Sequence, residues 1–557
     1  MSLQFITGNS GNGKTKYLFN RIVKEAKANP RDNYLVIVPE QFTMQTQRQL
    51  VDLSENKAIM NIDVLSFKRL AYRVFDELGI TNLTVLEETG KNLVLRKLAA
   101  QEADKLGVIG RNLNRIGYIS EVKSLLSELV QYNISPEELG RYIASGRLSD
   151  TLSDKLKDVL VLYEAFEKFM QDKYITAEEI LNVLCNVADE SAILRNSVIA
   201  FDEFTGFTPI QNQLIKKLFV ISKKIYVTLT IDCREDIFKS RGMQELFDMP
   251  KRTVKSLTEM AAFYGIEVEE PIILDKNYRL TENEELSFME QQLFRKQRRS
   301  FEKAPKHIHI DCLRDPKQEL TKIARRINEL VRNENLRYRD IAIVTGDVNI
   351  YAGYVREIFD KYNIPYFIDA TQEILFHPFI EFIRSIPDIA AQNFSADAVF
   401  RFLRCGFTEL SDNEIDVLEN YVLACGVRGK SAWDKKWVRL PKHKAGYDIE
   451  LLNQSREYIM ELLKPVYQVF SDKKSTVKDY VLAIYKLIVL LDIPDKLAKK
   501  EQVLLEAGDQ TASKEYGQIY KIVMQLFEKY VALLGDECMD AEEFTQILDA
   551  GLDAADV

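Results

Sequence analysis

A glycine-rich segment near the amino terminus carries the residues of this chain that are best suited to chemistry. The run Gly8-Asn-Ser-Gly-Asn-Gly13-Lys14-Thr15 matches the P-loop pattern Gly-x-x-x-x-Gly-Lys-Thr. Its glycines let successive backbone N–H groups point at phosphate oxygens beside the positive end of a helix dipole. Lys14 would reach the β- and γ-phosphates of ATP, and the Thr15 hydroxyl would hold Mg²⁺. We therefore predict an ATP site at Gly8, Asn9, Ser10, Gly11, Asn12, Gly13, Lys14 and Thr15, with a chance glycine-rich turn as the alternative.

An acidic pair supplies the second half of such a site. Asp202 and Glu203 directly follow the apolar run Ser197-Val-Ile-Ala-Phe201. In P-loop proteins an aspartate at this place holds the metal, and an adjacent acid orients the attacking water. We predict Asp202 as a magnesium residue, and Asp202 and Glu203 as catalytic residues. A charge pair at the start of a helix is the alternative interpretation.

These residues need a parallel sheet to bring them together, and the sequence predicts one. Strands are predicted at 2–8, 34–39, 62–65, 197–202 and 224–230, and the segments at 34–39 and 62–65 are apolar runs of the kind buried in parallel sheets. A helical pattern from about 87 to 187 interrupts them. Further strands are predicted at 307–311, 340–345 and 365–368, and a helical pattern continues from there to Val557.

Composition sets outer limits on the function. The chain has 557 residues, a net charge of −9, six scattered cysteines and four histidines. The acidic balance argues against a generic basic nucleic-acid binder but leaves room for a local basic channel. The cysteines form no C-x-x-C pair and indicate reduced thiols in a cytoplasmic protein. We found neither a secretory signal nor an apolar run long enough to span a membrane.

Several motifs resemble those of UvrD-type superfamily-one helicases. Asp202-Glu-Phe-Thr-Gly-Phe-Thr-Pro-Ile-Gln211 is similar to motif II, and Asn277-Tyr278-Arg279 is similar to the motif whose arginine contacts the γ-phosphate. The segments around Gln41, Thr43, Ser66 and Phe67 resemble strand ends that touch single-stranded DNA. This resemblance implies an α/β fold of two RecA-like P-loop domains with large all-helical insertions. It also implies that Arg279 binds ATP.

Departures from that pattern weaken the motor interpretation. Thr205-Gly206 stand where motif II has Gln-Asp, and Ile231 to Arg234 replace the coupling motif Gly-Asp-x-x-Gln. The adenine-clamping glutamine segment and the arginine finger are also missing from this sequence. The combination resembles the AddB (RexB) family, whose members are components of bacterial AddAB helicase–nucleases. Since members of that family are about twice as long, we expect this chain to be an amino-terminal fragment.

The resemblance implies a function, cofactors and partners. The region would be an inactivated helicase that binds ATP and Mg²⁺ and scans single-stranded DNA, in a complex that processes double-strand breaks for recombinational repair. A motor and nuclease subunit of the AddA type would complete a heterodimer. The nuclease domain and 4Fe-4S cluster of the family are expected only in the full-length protein, since neither they nor the cluster ligands are in this sequence. Whether this region is itself an enzyme stays open.

Two basic segments are further candidates for DNA contact. One runs from Arg295 to Lys306, and the other carries both tryptophans of the chain, in the order Trp433, Lys435, Lys436, Trp437. Lysines neutralise phosphates and aromatic faces stack on unpaired bases. A solvated charged face and a tryptophan core anchor are the alternative interpretations.

We predict a division into domains and retain competing functions. The first RecA-like domain is assigned to 1–85 and 191–295, with a helical insertion at 86–190. Residues 296–370 are assigned to the start of the second RecA-like domain, and residues 371–557 to another helical insertion. An autonomous UvrD-like translocase, an ATP-stabilised scaffold for a motor partner and a small-molecule P-loop kinase are the alternatives.

Overall fold

The computed structural model of the chain describes residues 1–81, 85–108, 118–146, 148–171, 174–295, 299–369, 374, 376–440, 447–472 and 474–553. It divides into two compact units. Unit 1 comprises Met1–Leu86, Leu126–Arg141 and Met170–Asp311. Unit 2 comprises Glu87–Leu125, Tyr142–Phe169 and Cys312–Val557. The chain therefore leaves unit 1 and returns to it twice.

The strands of the described residues all belong to unit 1 and pair in parallel. They are β1 Ser2–Gly8, β2 Tyr34–Ile37, β3 Ile62–Leu65, β4 Val85–Leu86, β5 Ile175–Thr176, β6 Val198–Phe201, β7 Lys224–Thr230, β8 Glu267–Val268 and β9 Ile272–Leu274. The main sheet has the order β3-β2-β6-β7-β1-β8, and β9 also pairs with β1. Because the strands are parallel, their carboxyl ends lie at one edge, where ligands bind in such sheets. The predicted α/β class and the five early strands are confirmed.

Helices make up most of the remaining described residues. They are α1 Lys14–Ala28, α2 Thr43–Leu53, α3 Phe67–Leu78, α4 Glu88–Gln101, α5 Tyr118–Gln131, α6 Pro136–Ala144, α7 Asp150–Met170, α8 Ile180–Val187, α9 Pro209–Ile221, α10 Asp248–Phe263, α11 Glu284–Gln292, α12 Pro316–Asn333, α13 Val348–Lys361, α14 Pro378–Ala391, α15 Ala396–Arg404, α16 Asp412–Cys425, α17 Lys430–Trp433, α18 Ile449–Ser471, α19 Val477–Leu490, α20 Ile493–Glu506, α21 Gln510–Leu534 and α22 Ala541–Asp553. The helical pattern predicted between 87 and 187 is confirmed as α4 to α8. No helix among these is long and apolar enough to cross a membrane.

Strand alternation builds two cores in unit 1, one on each face of the main sheet. Tyr34 and Val36 of β2 pack with α1 and α2, whereas Leu35 and Ile37 pack with α3, α8, α9 and α10. The central strands β2 and β6 are buried along their full length. This burial on both faces explains why they have nearly continuous apolar sequences.

Unit 2 is helical and has two separate cores among its described residues. The larger core spans α14 to α22, and its aromatic side chains include Phe379, Phe382 and Trp433. The smaller core lies between α12 and α13 and includes Leu320, Ile327 and Phe359. The helical character predicted beyond residue 369 is confirmed.

The strand predictions at 307–311, 340–345 and 365–368 are wrong for the described structure, which has no strand in these segments. Ile310, Val344 and Phe367 are 94%, 93% and 87% exposed. A strand is maintained by a neighbour that pairs its backbone N–H and C=O groups, and none of the described strands pairs with these segments. The second RecA-like domain therefore stays a prediction.

Candidate nucleotide-binding site

The P-loop connects the carboxyl end of β1 to the first turn of α1. Gly11 and Gly13 adopt φ of 86° and 79°, a left-handed conformation that favours glycine. The Lys14 ammonium folds back over the loop and donates to the carbonyl oxygens of Gly8 and Asn9, at 3.1 and 3.0 Å. Burial lowers the pKa of Lys14, although the charges of Glu203 and Asp202 oppose this effect. The loop thus holds its cation beside the acidic pair.

The acidic pair follows β6 and meets the P-loop at Thr15. The Thr15 hydroxyl lies 3.3 Å from Oδ1 of Asp202 and 3.2 Å from Oε1 of Glu203, within hydrogen-bonding range of both. Glu203 has a φ of 64°, which is unusual outside glycine. Strain of this kind is concentrated at functional sites.

Asp202 is buried, and only one of its two carboxylate oxygens is engaged. Its Oδ1 atom accepts a hydrogen bond from the hydroxyl of Thr228, whereas its Oδ2 atom is buried without a hydrogen-bond partner among the described residues. Burial raises the pKa of Asp202, and the hydrogen bond from Thr228 acts in the opposite direction. A buried carboxylate oxygen without a partner is costly unless something binds it.

The Asn277-Tyr278-Arg279 segment packs directly against the P-loop. The Asn277 side-chain amide donates to the Ser10 carbonyl at 2.9 Å, and the Tyr278 backbone N–H donates to the Gly11 carbonyl at 3.0 Å. Arg279 and the Tyr278 ring, which is 65% exposed, both line the cleft above the loop. The structure thus brings together the P-loop, the acidic pair and Arg279, which the sequence pattern selected.

These elements enclose one cleft with a volume of about 760 Å³. Besides the predicted residues it is lined by Thr228, Thr230 and Tyr278, and by one face of α2. The α2 residues are Gln45, Thr46, Gln49, Asp52 and Leu53. Apart from Tyr278, which belongs to the Asn277-Tyr278-Arg279 motif, the sequence did not single out these residues. Their signals were the threonines that interrupt the apolar run of β7, and the helical spacing of the polar residues that follow β2.

The segment at 231–234, which replaces the coupling motif, is held in place by burial, ion pairs and a hydrogen bond to the P-loop. Ile231 is buried, and Asp232 forms ion pairs with Arg234 and Arg295. Burial acts to raise the pKa of Asp232, but the two arginines hold it down at about 2. The next backbone N–H, that of Cys233, donates to the side chain of Asn9 at 2.9 Å. This segment therefore stabilises the loop, and its carboxylate is already neutralised by arginine.

Comparisons with known proteins identify the family. Residues 5–290 match the sequence profile described as "ADDB, N-terminal". The chain belongs to the AddB family. A relative in Lachnoclostridium phytofermentans, named as a subunit of an ATP-dependent helicase/deoxyribonuclease, is 38% identical over 100% of this chain and 49% of its own length. Relatives that carry the same name in Caldanaerobacter subterraneus and Clostridioides difficile are 32% and 31% identical over 99% of the chain. The chain spans about half the length of these relatives.

The predicted DNA residues of this AddB-family chain at the strand ends are largely buried. Thr43, Ser66 and Phe67 are buried, and only Gln41 is exposed. The Thr43 hydroxyl donates to the Glu40 carbonyl, and Ser66 caps the first turn of α3. The Phe67 ring packs against three phenylalanines of the Asp202 region, namely Phe201, Phe204 and Phe207. Thr43, Ser66 and Phe67 therefore have structural roles at the edge of the sheet. Of the four predicted residues, only Gln41 is accessible to a DNA strand.

The tryptophan segment also requires correction. Trp433 is fully buried and Trp437 nearly so, with ring centroids 5.2 Å apart. The indole N–H of Trp437 donates to the Ala432 carbonyl at 3.0 Å. Both rings are core anchors, so they cannot stack on bases, and Lys435 and Lys436 are the residues left on the surface. In the other basic segment, Arg295 forms an ion pair with Asp232. Residues 296–298 of that segment lie outside the described residues.

The oxygen atoms at the cleft fit Mg²⁺. One hydroxyl and two carboxylates converge there, and hard oxygen ligands are those that Mg²⁺ takes, usually together with substrate phosphates and water. The Oδ2 atom of Asp202, which has no hydrogen-bond partner among the described residues, is the oxygen that the metal or its bound water could use. No group of three or more His, Cys, Asp or Glu residues that could hold a metal ion occurs in the described parts of the chain. A metal here would thus depend on the nucleotide for its remaining ligands.

Proposed function

We propose that this chain binds Mg-ATP at the P-loop. It would form the inactivated-helicase, DNA-scanning region of a helicase–nuclease subunit that processes double-strand DNA breaks for recombinational repair. The observation that carries the proposal is the convergence of Lys14, Thr15, Asp202, Glu203 and Arg279 on one cleft. Three separate sequence segments reach this point, and each contributes a residue type that phosphate or magnesium requires.

Each residue has a task that follows from its contacts. Lys14 would exchange its two carbonyl acceptors for phosphate oxygens, since these acceptors lie within the loop that cradles the phosphates. Thr15 and Asp202 would hold Mg²⁺, which supplies positive charge to the β- and γ-phosphate oxygens. Arg279 would face the γ-phosphate, and the exposed Tyr278 ring offers a face to the nucleobase.

Binding would be accompanied by little or no turnover in the isolated chain. A motor must convert the presence of the γ-phosphate into domain movement through groups that respond to it. In the segment at the coupling position, the Asp232 carboxylate is instead paired with Arg234 and Arg295. An AddA-type motor subunit would then supply the movement in a heterodimer, while this subunit grips the DNA strand that is fed through it.

Nucleotide binding is tested with a fluorescent ATP analogue. Lys14→Ala removes the charge that faces the phosphates and should abolish most of the binding. The matched control is Lys24→Ala, because Lys24 is an exposed lysine of the same helix and lies outside the cleft. Equal affinity of the parent and Lys14→Ala would refute the assignment.

The inactivated state is tested by measuring ATP hydrolysis with and without single-stranded DNA. We expect weak or no turnover and little stimulation by DNA. Robust turnover that rises with DNA and disappears in Glu203→Gln would instead show an autonomous motor. This outcome would favour the UvrD-like alternative.

DNA contact is tested by binding to an oligo-thymidine strand over a range of salt concentrations. A scaffold without DNA contact would show no binding, whereas a scanning region should show a steep salt dependence. Replacing both exposed lysines, Lys435 and Lys436, by alanine should reduce the logarithmic salt slope by roughly 1.4, at about 0.7 for each phosphate contact. Gln41→Ala should weaken binding, and Gln47→Ala, at an exposed position of α2 outside the cleft, is its control.

A further inference from the structure

Thr228 lies beside the Asp202 carboxylate because of the register of two parallel strands. Ala200 of β6 pairs with Tyr226 of β7, and both pack in the core on the α1 side of the sheet. Asp202 lies two residues after Ala200 in the sequence, and Thr228 lies two residues after Tyr226. Since strand side chains repeat their direction every two residues, both point to the side from which α1 presents Thr15.

The two carboxylate oxygens of Asp202 have different surroundings. The Thr228 hydroxyl, which is buried, donates to Oδ1, and the Thr15 hydroxyl lies 3.3 Å from the same atom. The other oxygen, Oδ2, is buried and has no hydrogen-bond partner in the described structure. Asp202 and Thr228 both line the cleft. One oxygen of the carboxylate is therefore held by a hydrogen bond, and the other has no partner in the described structure.

We propose that Thr228 is a positioning residue for magnesium: by binding Oδ1 from the neighbouring strand, it fixes the Asp202 carboxylate so that Oδ2 is available to the metal or its bound water. This inference rests on the proposed ATP site and adds to it a residue that touches neither nucleotide nor metal. Hydrogen bonds that orient a metal-binding carboxylate typically change metal affinity by roughly 10- to 100-fold. The effect should be confined to the metal, because Thr228 makes no contact with the P-loop backbone in the described hydrogen bonds.

The test measures the Mg²⁺ concentration that gives half of the metal-dependent gain in affinity for a fluorescent ATP analogue. Thr228→Val keeps the shape of the side chain but removes the donor, and it should raise this midpoint about tenfold or more. Affinity for the analogue in EDTA should stay within about twofold of the parent, and Thr228→Ser should restore the parent midpoint. Circular dichroism checks folding, and Thr228→Ala replaces the valine variant if that variant is misfolded.

Thr7→Val is the matched control. Thr7 lies in the adjacent strand β1 and is also buried, but it points to the opposite face, and its hydroxyl has no hydrogen-bond partner among the described residues. Its Mg²⁺ midpoint should equal that of the parent. An unchanged midpoint in Thr228→Val, an equal loss of affinity in EDTA, or a shifted midpoint in Thr7→Val would each overturn the inference. A parent that binds no nucleotide would refute the proposed ATP site itself and this inference with it.

Discussion

Replacing Gly11 by alanine tests whether the Asn-Tyr-Arg segment locks the P-loop. Gly11 has a φ of 86°, and a left-handed conformation costs an L side chain roughly 1–2 kcal/mol. A Cβ atom there would lie 2.8 Å from Oδ1 of Asn277 and 2.9 Å from Cβ of Arg279. Neither distance is tolerable, so one of the two segments must move.

Asn277 has little freedom to yield. Its Oδ1 atom accepts hydrogen bonds from the backbone N–H groups of Arg279 and Leu280, and its amide donates to Ser10. Rotation away from a new methyl group would break these bonds, and overpacking of this kind costs about 1–3 kcal/mol. With the backbone term, Gly11→Ala should lose roughly 2–5 kcal/mol of local stability.

Gly79→Ala isolates the backbone term. Gly79 follows α3 with a φ of 68°, and a Cβ atom there would meet nothing within 4 Å. We expect this variant to lose only the roughly 1–2 kcal/mol of the left-handed conformation. The assay is hydrogen exchange in increasing urea, which gives the free energy of opening for each variant from peptides that contain β1 or α3, respectively. Equal losses in the two variants would refute the argument that the segment at 277–279 constrains the loop.

Three further predictions concern Asn277, Trp433 and Asp232. Asn277→Ala removes the Oδ1 atom that an alanine at position 11 would clash with. The double variant Gly11→Ala, Asn277→Ala should therefore lose less free energy of opening than the sum of the losses in the two single variants. Trp433→Ala should cost about 3–5 kcal/mol in urea unfolding because it empties a core position, whereas Lys435→Ala should stay within about 0.5 kcal/mol. The pKa of Asp232 is raised by burial but held at about 2 by two arginines, below its ordinary 3.8. Its contribution to stability should thus be complete above about pH 4 and lost as the pH falls toward 2, and acid unfolding of Asp232→Asn should lack this part of the pH dependence.

The sequence determined what depends on local chemistry and on strand burial. The P-loop residues, the acidic pair and Arg279 were predicted from residue type and order, and the structure brings them to one cleft. The strands at 2–8, 62–65 and 224–230 were predicted with the bounds that they have. Of these, β1 and β7 are buried along nearly their full length, whereas β3, at the edge of the sheet, is only partly buried. The α/β class followed from the same predicted strands.

Only the tertiary structure decided which polar and aromatic residues are accessible. Trp433 and Phe67 fit a DNA surface by residue type, but burial depends on which elements pack against them, and no local pattern reports this. The segments at 307–311 and 340–345 have strand-like composition, yet a strand exists only where another strand pairs with it. Thr228 was missed for the same reason, since its role arises from the register between β6 and β7, which places it beside Asp202 although 26 positions separate them in the chain.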